Sequence, residues 1–296
     1  MKNKKTIIIL GPTASGKTKL AIDIANKYDG EIISADSRQV YKKLDIGSGK
    51  DLEDYKLSDK TIKYHLINIV DIDFNYSVYN FQKDFIKSYN KIINSNKMPI
   101  ICGGSGLYIE SLLLDYDLSN SPPPDYKLRS SLQEKSFDEL LDYFKEINSD
   151  SGNNINDTKN RLIRNIEKYL NKKNLDLKNI ELPISNYKIY GIFNSREEVR
   201  EKITKRLKER LTIGLIDEVK SLINEGVSHK RLYSLGLEYR FVSDYLQNIL
   251  TKEEMFQKLN TAIHRFSKKQ MTFFRRMEKR GLKINWIKES NIKLIQ

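Results

Sequence analysis

TIIILGPTASGKT, residues 6–18, is the stretch on which the fold turns. Thr6 to Leu10 is β-branched and apolar and stops at Gly11-Pro12, the pattern of a strand buried on both faces of a parallel sheet. Gly11-Pro12-Thr13-Ala14-Ser15-Gly16-Lys17-Thr18 fits G-x-x-x-x-G-K-[ST]. Each part has a physical purpose. The glycines let the backbone curl so that successive N–H groups point inward, at the positive end of the following helix, where phosphate oxygens bind. Lys17 neutralises terminal phosphates and Thr18 offers a hydroxyl to Mg²⁺. The loop lies between a predicted strand and a predicted helix, which is the context it requires. By itself it leaves the chemistry open, because kinases, hydrolases and enzymes that expel diphosphate all cradle phosphates in this way.

Outward from this loop, Leu20, Ala21, Ile24 and Ala25 recur at helical spacing. EIISA at 31–35 predicts a second strand, 62–69 a weaker third, and MPIIC at 98–102, closed by Gly103-Gly104, another. Phe81, Phe85, Ile86, Ile92 and Ile93 mark a helix between them. Residues 1–118 therefore predict an α/β core, a P-loop parallel sheet flanked by helices. Residues 119–182 predict a mostly helical insert, entered through SNSPPP and interrupted by an Asn-rich stretch at 153–160. Residues 183–296 predict a final strand at 184–193 and then helices alone. Ser195 and Glu198 have capping-box spacing, Val199, Ile203 and Leu207 form a stripe, and Glu225-Gly226 gives a stop. Ile263, Phe266, Phe274 and Met277 predict the buried side of a later helix, with its basic residues off that stripe.

The 296 residues carry a net charge of +13, and +10 of it falls in residues 201–296. A concentrated basic face fits a polyanion such as nucleic acid. Charge alone also admits a chain whose overall composition is simply rich in Lys, Asn and Ile. A lone cysteine, Cys102, excludes an internal disulfide and Cys-rich zinc sites and suits a reducing, cytoplasmic setting. No apolar run approaches the ~20 residues of a membrane span, and MKNKK followed by a short apolar run does not read as a secretory signal.

Five segments together narrow the reading: GPTASGKT at 11–18, ADSRQVY at 35–41, LDIG at 44–47, PIICGGSGLYI at 99–109 and KKQMTFFRR at 268–276. In order and spacing the chain resembles the tRNA dimethylallyltransferase (tRNA isopentenyltransferase) family, from Lys5 to about Ile287 and most weakly between 116 and 190. The resemblance implies transfer of a dimethylallyl group from dimethylallyl diphosphate to N6 of adenine 37, just 3′ of certain tRNA anticodons, with Mg²⁺ as cofactor. It implies that Gly11, Pro12, Thr13, Ala14, Ser15, Gly16, Lys17 and Thr18 bind the diphosphate together with Arg206, that Thr18 meets the metal, and that Asp36 is the general base. It further implies that Asp36, Ser37, Arg38, Gln39 and Ser105 meet the acceptor, with Arg129, Asn160, Arg161 and Arg164 of the insert and Lys268, Lys269, Arg275 and Arg276 gripping tRNA. Arg161 and Arg164 share one helix face at i, i+3, which suits phosphates or pairing within the protein.

Some positions depart from the family pattern. Ser105 stands where Thr is usual, Asn68 where Asp is common, and Gly49-Lys50-Asp51 lacks the usual Pro. Leu235 to Arg240 carries apparent extra residues. His65 and Cys102 read as structural. A monomer is expected, with tRNA and dimethylallyl diphosphate as partners and no membrane. The rival readings are an adenylate isopentenyltransferase acting on free adenine nucleotides, a P-loop small-molecule kinase, and a non-catalytic RNA-binding protein.

Overall fold

The structure, a computed structural model, describes residues 5–114, 116, 124–148, 158–171 and 182–288. Along the chain run β1 (Thr6–Leu10), α1 (Lys17–Tyr28), β2 (Gly30–Ser34), β3 (Tyr64–His65), α2 (Val78–Asn94), β4 (Met98–Gly103) and α3 (Gly106–Leu113). Then come α4 (Tyr126–Glu134), α5 (Phe137–Ile147), α6 (Lys159–Leu170), β5 (Tyr187–Phe193), α7 (Arg196–Thr212) and α8 (Leu215–Asn224). The chain continues through α9 (His229–Leu235), α10 (Leu237–Leu246), α11 (Lys252–Lys279) and β6 (Ile284–Lys288). The strands form one sheet of order β3-β2-β4-β1-β5-β6, every pair parallel.

Parallel strands covered on both faces need apolar residues at every position, and β1 is buried along its whole length. Ile8 and Leu10 pack on one face with Phe81, Phe85, Ile109, Phe274 and Met277, from α2, α3 and α11. Ile7 and Ile9 pack on the other with Leu20, Ile24 and Ile192, so that α1 covers that side. A third cluster, including Val40, Leu44, Val219, Leu232, Tyr239 and Met255, joins the segment after β2 to the helices from α8 onward. The described residues fall into two compact units, one within 1–116 and 182–296, the other within 117–181. The second unit has its own core of Leu132, Leu140, Leu162, Ile163 and Ile166.

Several expectations change. The third strand shrinks from 62–69 to two residues, because Leu66 and Asn68 take positive φ (61° and 57°) and end the extended run. β5 starts at Tyr187 rather than at 184, and it is not the last strand: β6 pairs with it from Ile189–Ile284 to Phe193–Lys288. The continuous helix expected over 195–225 keeps its capping box at Ser195 and Glu198 but breaks at Gly214 (φ 112°) into α7 and α8. On α11 the buried stripe runs Met255, Leu259, Ile263, Ser267, Gln270, Phe274 and Met277, whereas Phe266 is 45% exposed and lies off it. Most of the Asn-rich stretch at 153–160 and most of SNSPPP lie outside the described residues.

Phe274 is fully buried between α11 and the sheet. Truncating such a ring costs transfer energy plus a cavity, so Phe274→Ala is expected to lose about 3–5 kcal/mol in urea unfolding.

Candidate active site

In a parallel sheet, ligands bind beyond the carboxyl ends of the strands. β1, β2 and β4 all end at one edge, where Leu10 pairs with Gly103 and Ser34 with Cys102. The loops leaving them line a cleft of about 360 Å³ together with residues of α7, α10 and α11. Lys17 and Thr18 enter it from the start of α1, Asp36 to Gln39 from the end of β2, Ser105 from the end of β4, and Arg206 and Arg210 from α7. The cleft thus unites residues that lie far apart in the chain.

The phosphate loop leads into α1 through Gly16 in the left-handed region (φ 82°), and Lys17 Nζ donates to the Pro12 carbonyl at 3.2 Å. Burial holds the Lys17 ammonium below its ordinary value; Asp36 opposes the shift and Arg206 and Arg210 add to it. Ser15 Oγ is buried in the loop without a hydrogen-bond partner. Arg206 Nη2 donates to Asp51 Oδ2 at 2.5 Å. One turn later Arg210 is 9% exposed, and burial and then Arg206 lower its pKa. Arg210 donates to the Gly47 carbonyl at 3.3 Å, with Glu238 at 3.5 Å; burial raises the Glu238 carboxyl, against the pull of Arg210. Gly49 threads between the two guanidiniums: a Cβ there would stand 1.8 Å from Arg210 Nη2 and 2.4 Å from Arg206 Nη2, and its φ is +62°. Five cations against two carboxylates line the cleft, so it suits an anion.

On the β2 side, Asp36 Oδ1 accepts from the Arg38 and Gln39 backbone N–H groups at 2.8 and 3.4 Å. These bonds fix the carboxylate's orientation in the cleft. Ser105 Oγ accepts from the Ser37 N–H at 3.0 Å and so ties this loop to the end of β4. The Gln39 amide is used within the protein: it donates to the Gly49 carbonyl at 3.1 Å and accepts from Ser34 Oγ at 2.8 Å.

The basic run of α11 divides among three surroundings instead of forming one surface. Lys268 and Arg275 line a groove of about 470 Å³ that includes Pro12, and Lys269 lines another with Phe266 and Arg240. Arg276 donates to the fully buried Glu110 at 2.7 Å, beside Arg280 at 3.0 Å and the Tyr116 hydroxyl at 2.9 Å. In the 117–181 unit, Arg129 makes a fork to the buried Glu167 at 2.8 and 2.9 Å, and Arg164 pairs with the same carboxylate. Arg129 and Arg164 therefore hold the helices of that unit together. Arg161 and Asn160 sit in the first turn of α6. His65 bonds the buried Glu31 at 2.6 Å, and burial pushes the Cys102 thiol up to about 12, so both are structural, as expected.

Besides Arg210, three residues that hold the cleft's loops were given no role in the sequence reading. Gln270, buried inside the basic segment, accepts from the Thr13 N–H at 2.9 Å and donates to the Gly104 carbonyl at 2.9 Å, stapling the phosphate loop to the end of β4. Glu218 accepts from the backbone N–H groups of Asp45, Ile46 and Gly47 and from the Tyr239 hydroxyl. Lys50, 1% exposed, donates to the Tyr41 carbonyl, to Asp45 and to Asn68, which gives the atypical Asn68 and the segment without proline a shared structural role. A polar residue flanked by apolar ones at helical spacing, as Gln270 is by Ile263 and Phe274, was the available signal.

Known proteins share both the sequence and the fold that build this cleft. The IPP transferase family matches residues 39–277. The chain is 46% identical to tRNA dimethylallyltransferase 2 of Phocaeicola vulgatus over 97% of its own length and 93% of the relative's. It is 44% identical to tRNA dimethylallyltransferase 2 of Bacteroides fragilis, over 98% and 94%. Among solved structures it is similar to the tRNA isopentenylpyrophosphate transferase of Bacillus halodurans, with TM-score 0.68, 26% identity and coverage of 96% and 90%. A eukaryotic dimethylallyltransferase acting on tRNA shares the fold at TM-score 0.73 and 21% identity, over 98% and 75%.

Replacing Gln270 by Leu leaves the half-buried Thr13 N–H and the buried Gly104 carbonyl without these partners. Gln270→Leu is expected to lose about 1–3 kcal/mol of stability in thermal or denaturant unfolding and to speed hydrogen exchange at the Thr13 amide. A Thr13 amide as protected as in the wild type would show that the staple does not hold the loop.

Proposed function

The chain belongs to the IPP transferase family, and on that premise we propose that it transfers a dimethylallyl group from dimethylallyl diphosphate to N6 of adenine 37, beside the tRNA anticodon. The observation that carries this reading is a cleft lined by Thr13, Lys17 and Thr18 of the phosphate loop, by Arg206 and Arg210, and by an oriented Asp36 carboxylate. An anion-binding half and a proton-accepting half are what the reaction requires.

The diphosphate would lie on the loop amides and the start of α1, against Lys17, Arg206 and Arg210. The Thr13 N–H is already taken by Gln270, which leaves later amides of the loop for phosphate oxygens. Stabilising charge that develops on the leaving diphosphate favours breaking the allylic C–O bond. The acceptor amine is conjugated to the purine ring and attacks poorly while it keeps both protons. As the N6–carbon bond forms, Asp36 takes one proton by the carboxylate oxygen not committed to the Arg38 and Gln39 amides. Ser105 holds the loop that carries Asp36.

Among the described residues no group of three or more His, Cys, Asp or Glu is placed to hold a metal ion. The cleft instead offers the Thr18 hydroxyl beside a phosphate-binding loop. That sparse donor set fits Mg²⁺, which keeps several waters and shares substrate phosphate oxygens. When bound, Mg²⁺ supplies further neutralisation of the departing diphosphate. A target adenine in an anticodon loop must leave its stack to reach the cleft, as in base flipping. Among the described residues no helix is long and apolar enough to cross a membrane.

The test is to incubate the protein with Mg²⁺, dimethylallyl diphosphate and either unmodified tRNA or AMP, then to analyse the nucleosides by mass spectrometry. A dimethylallyl mass gain on tRNA adenine is expected; a gain on AMP alone, or ATP turnover without prenyl transfer, would contradict the proposal. Asp36→Ala should lower kcat by ~10²–10⁴, the range of general-base catalysis, while diphosphate affinity stays near wild type. Lys17→Ala should lower both. Equal loss of diphosphate affinity in the two variants would remove Asp36 from the role of base.

A further inference from the structure

Tyr55 lines the reaction cleft, and the chemistry above gives it nothing to do. It closes a short 3-10 turn, Leu52–Tyr55, that follows the Asp51 paired with Arg206. Its carbonyl accepts from the Ile62 N–H at 2.8 Å, and its ring meets Tyr64 edge-on, with centroids 4.8 Å apart. The ring belongs to one packed cluster with Leu20 and Ile24 of α1 and with Cys102, whose Sγ lies 3.6 Å from the Lys17 carbonyl. Only 3% of the residue is exposed, so packing fixes the ring. These neighbours place it by the start of α1 and by Asp51, in the anion-binding half of the cleft.

Four other hydroxyls of the cleft are committed within the protein. Ser34 Oγ donates to Gln39, Ser48 Oγ to the Leu44 carbonyl and the Tyr233 hydroxyl to Asp244, while Ser105 Oγ accepts from the Ser37 N–H. The Tyr55 hydroxyl has no hydrogen-bond partner among the described residues. A tyrosine buried to this degree ordinarily finds a partner for its O–H. Phenylalanine would fill the same apolar surroundings without leaving a donor unpaired. The hydroxyl is therefore matched to something that enters the cleft. Burial above all, helped by Cys102, Tyr64, Asp54 and Asp51, pushes the phenol far above its ordinary pKa, so it stays protonated and donates. A neutral donor suits this place. Arg206 and Arg210 already oppose the charge on Lys17, and a further cation would add to that repulsion, whereas a phenol adds a hydrogen bond without charge.

Resting on the prenyl-transfer reading above, we propose that Tyr55 is a further catalytic residue, whose hydroxyl donates a hydrogen bond to an oxygen of the departing diphosphate. The allylic C–O bond breaks with its electron pair going to the diphosphate, the N6–carbon bond forms, and Asp36 takes the N6 proton. Tyr55 keeps its own proton throughout. Its hydrogen bond strengthens as negative charge grows on the oxygen it meets, which lowers the barrier to C–O cleavage.

The test uses the full chain with Mg²⁺, dimethylallyl diphosphate and unmodified tRNA. Wild-type transfer must be seen first; its absence refutes the function proposed above and with it this role. With that step passed, Tyr55→Phe, which removes one oxygen and keeps the ring, is expected to lower kcat by ~10²-fold, the effect of losing one donor to developing charge. Its KM for tRNA should match the wild type and its Tm should not fall. Inhibition by inorganic diphosphate should weaken, because that product carries the charge the hydroxyl meets. Tyr64→Phe alters the neighbouring ring, which does not line the cleft, and should keep the wild-type kcat. A wild-type kcat in Tyr55→Phe would overturn the role. So would an equal loss in Tyr64→Phe, a lower Tm, undiminished diphosphate inhibition or a change confined to the KM for tRNA, each leaving the transferase reading standing.

Discussion

The parallel pairing of β4 between β1 and β2 is the constraint on which the rest of the molecule depends. It brings Leu10 level with Gly103 and Ser34 level with Cys102, so three loops leave the sheet at one edge. The Ala35 N–H bonds the Cys102 carbonyl at 2.8 Å and carries this register one residue into the loops. The approach is so close that a Cβ on Gly103 would stand 2.1 Å from the Ala35 carbonyl oxygen. Without that contact the Asp36 loop could not lie beside the phosphate loop.

The helices then supply what strands cannot. Strand ends contribute backbone and short side chains; α7 reaches in with two arginines and α11 with Gln270. Placing Arg206 and Arg210 a single turn apart in a partly dry cleft is unfavourable without an anion, and the shifts of Lys17 and Arg210 reflect that tension. The protein meets part of the cost with Asp51 and Glu238 and leaves an excess of positive charge. Such an excess of positive charge favours binding of an anion.

Much of this was legible in the sequence. The runs at 6–10, 31–35 and 98–102 are rich in isoleucine and other apolar residues and are followed by glycine or aspartate, so the central strands stood out. The phosphate loop was recognisable because its spacing is set by the geometry of curling around phosphate. INWIK, by contrast, alternates polar and apolar residues after a basic helix, and only its pairing with β5 makes it a strand. Partnerships across long chain separations were also hidden. Nothing near Arg276 in the sequence reveals Glu110, and nothing near Arg129 reveals Glu167. The same distance concealed the burial of Lys50 and the staple made by Gln270. Charge counts located the basic helix correctly but treated its cations as one surface, whereas packing divides them among a buried carboxylate and two grooves.

In the proposed reaction one cleft holds a prenyl diphosphate on the phosphate loop and an adenine against Asp36 at the same time. A crystal structure of the ternary complex with an anticodon stem-loop and a non-reacting thio analogue of dimethylallyl diphosphate would test it most directly. Adenine N6 is expected within hydrogen-bond reach of Asp36 and ~3–3.5 Å from the allylic carbon, with the diphosphate against Lys17 and Arg206. An adenine bound away from Asp36, or a diphosphate held elsewhere than on residues 11–18, would contradict it.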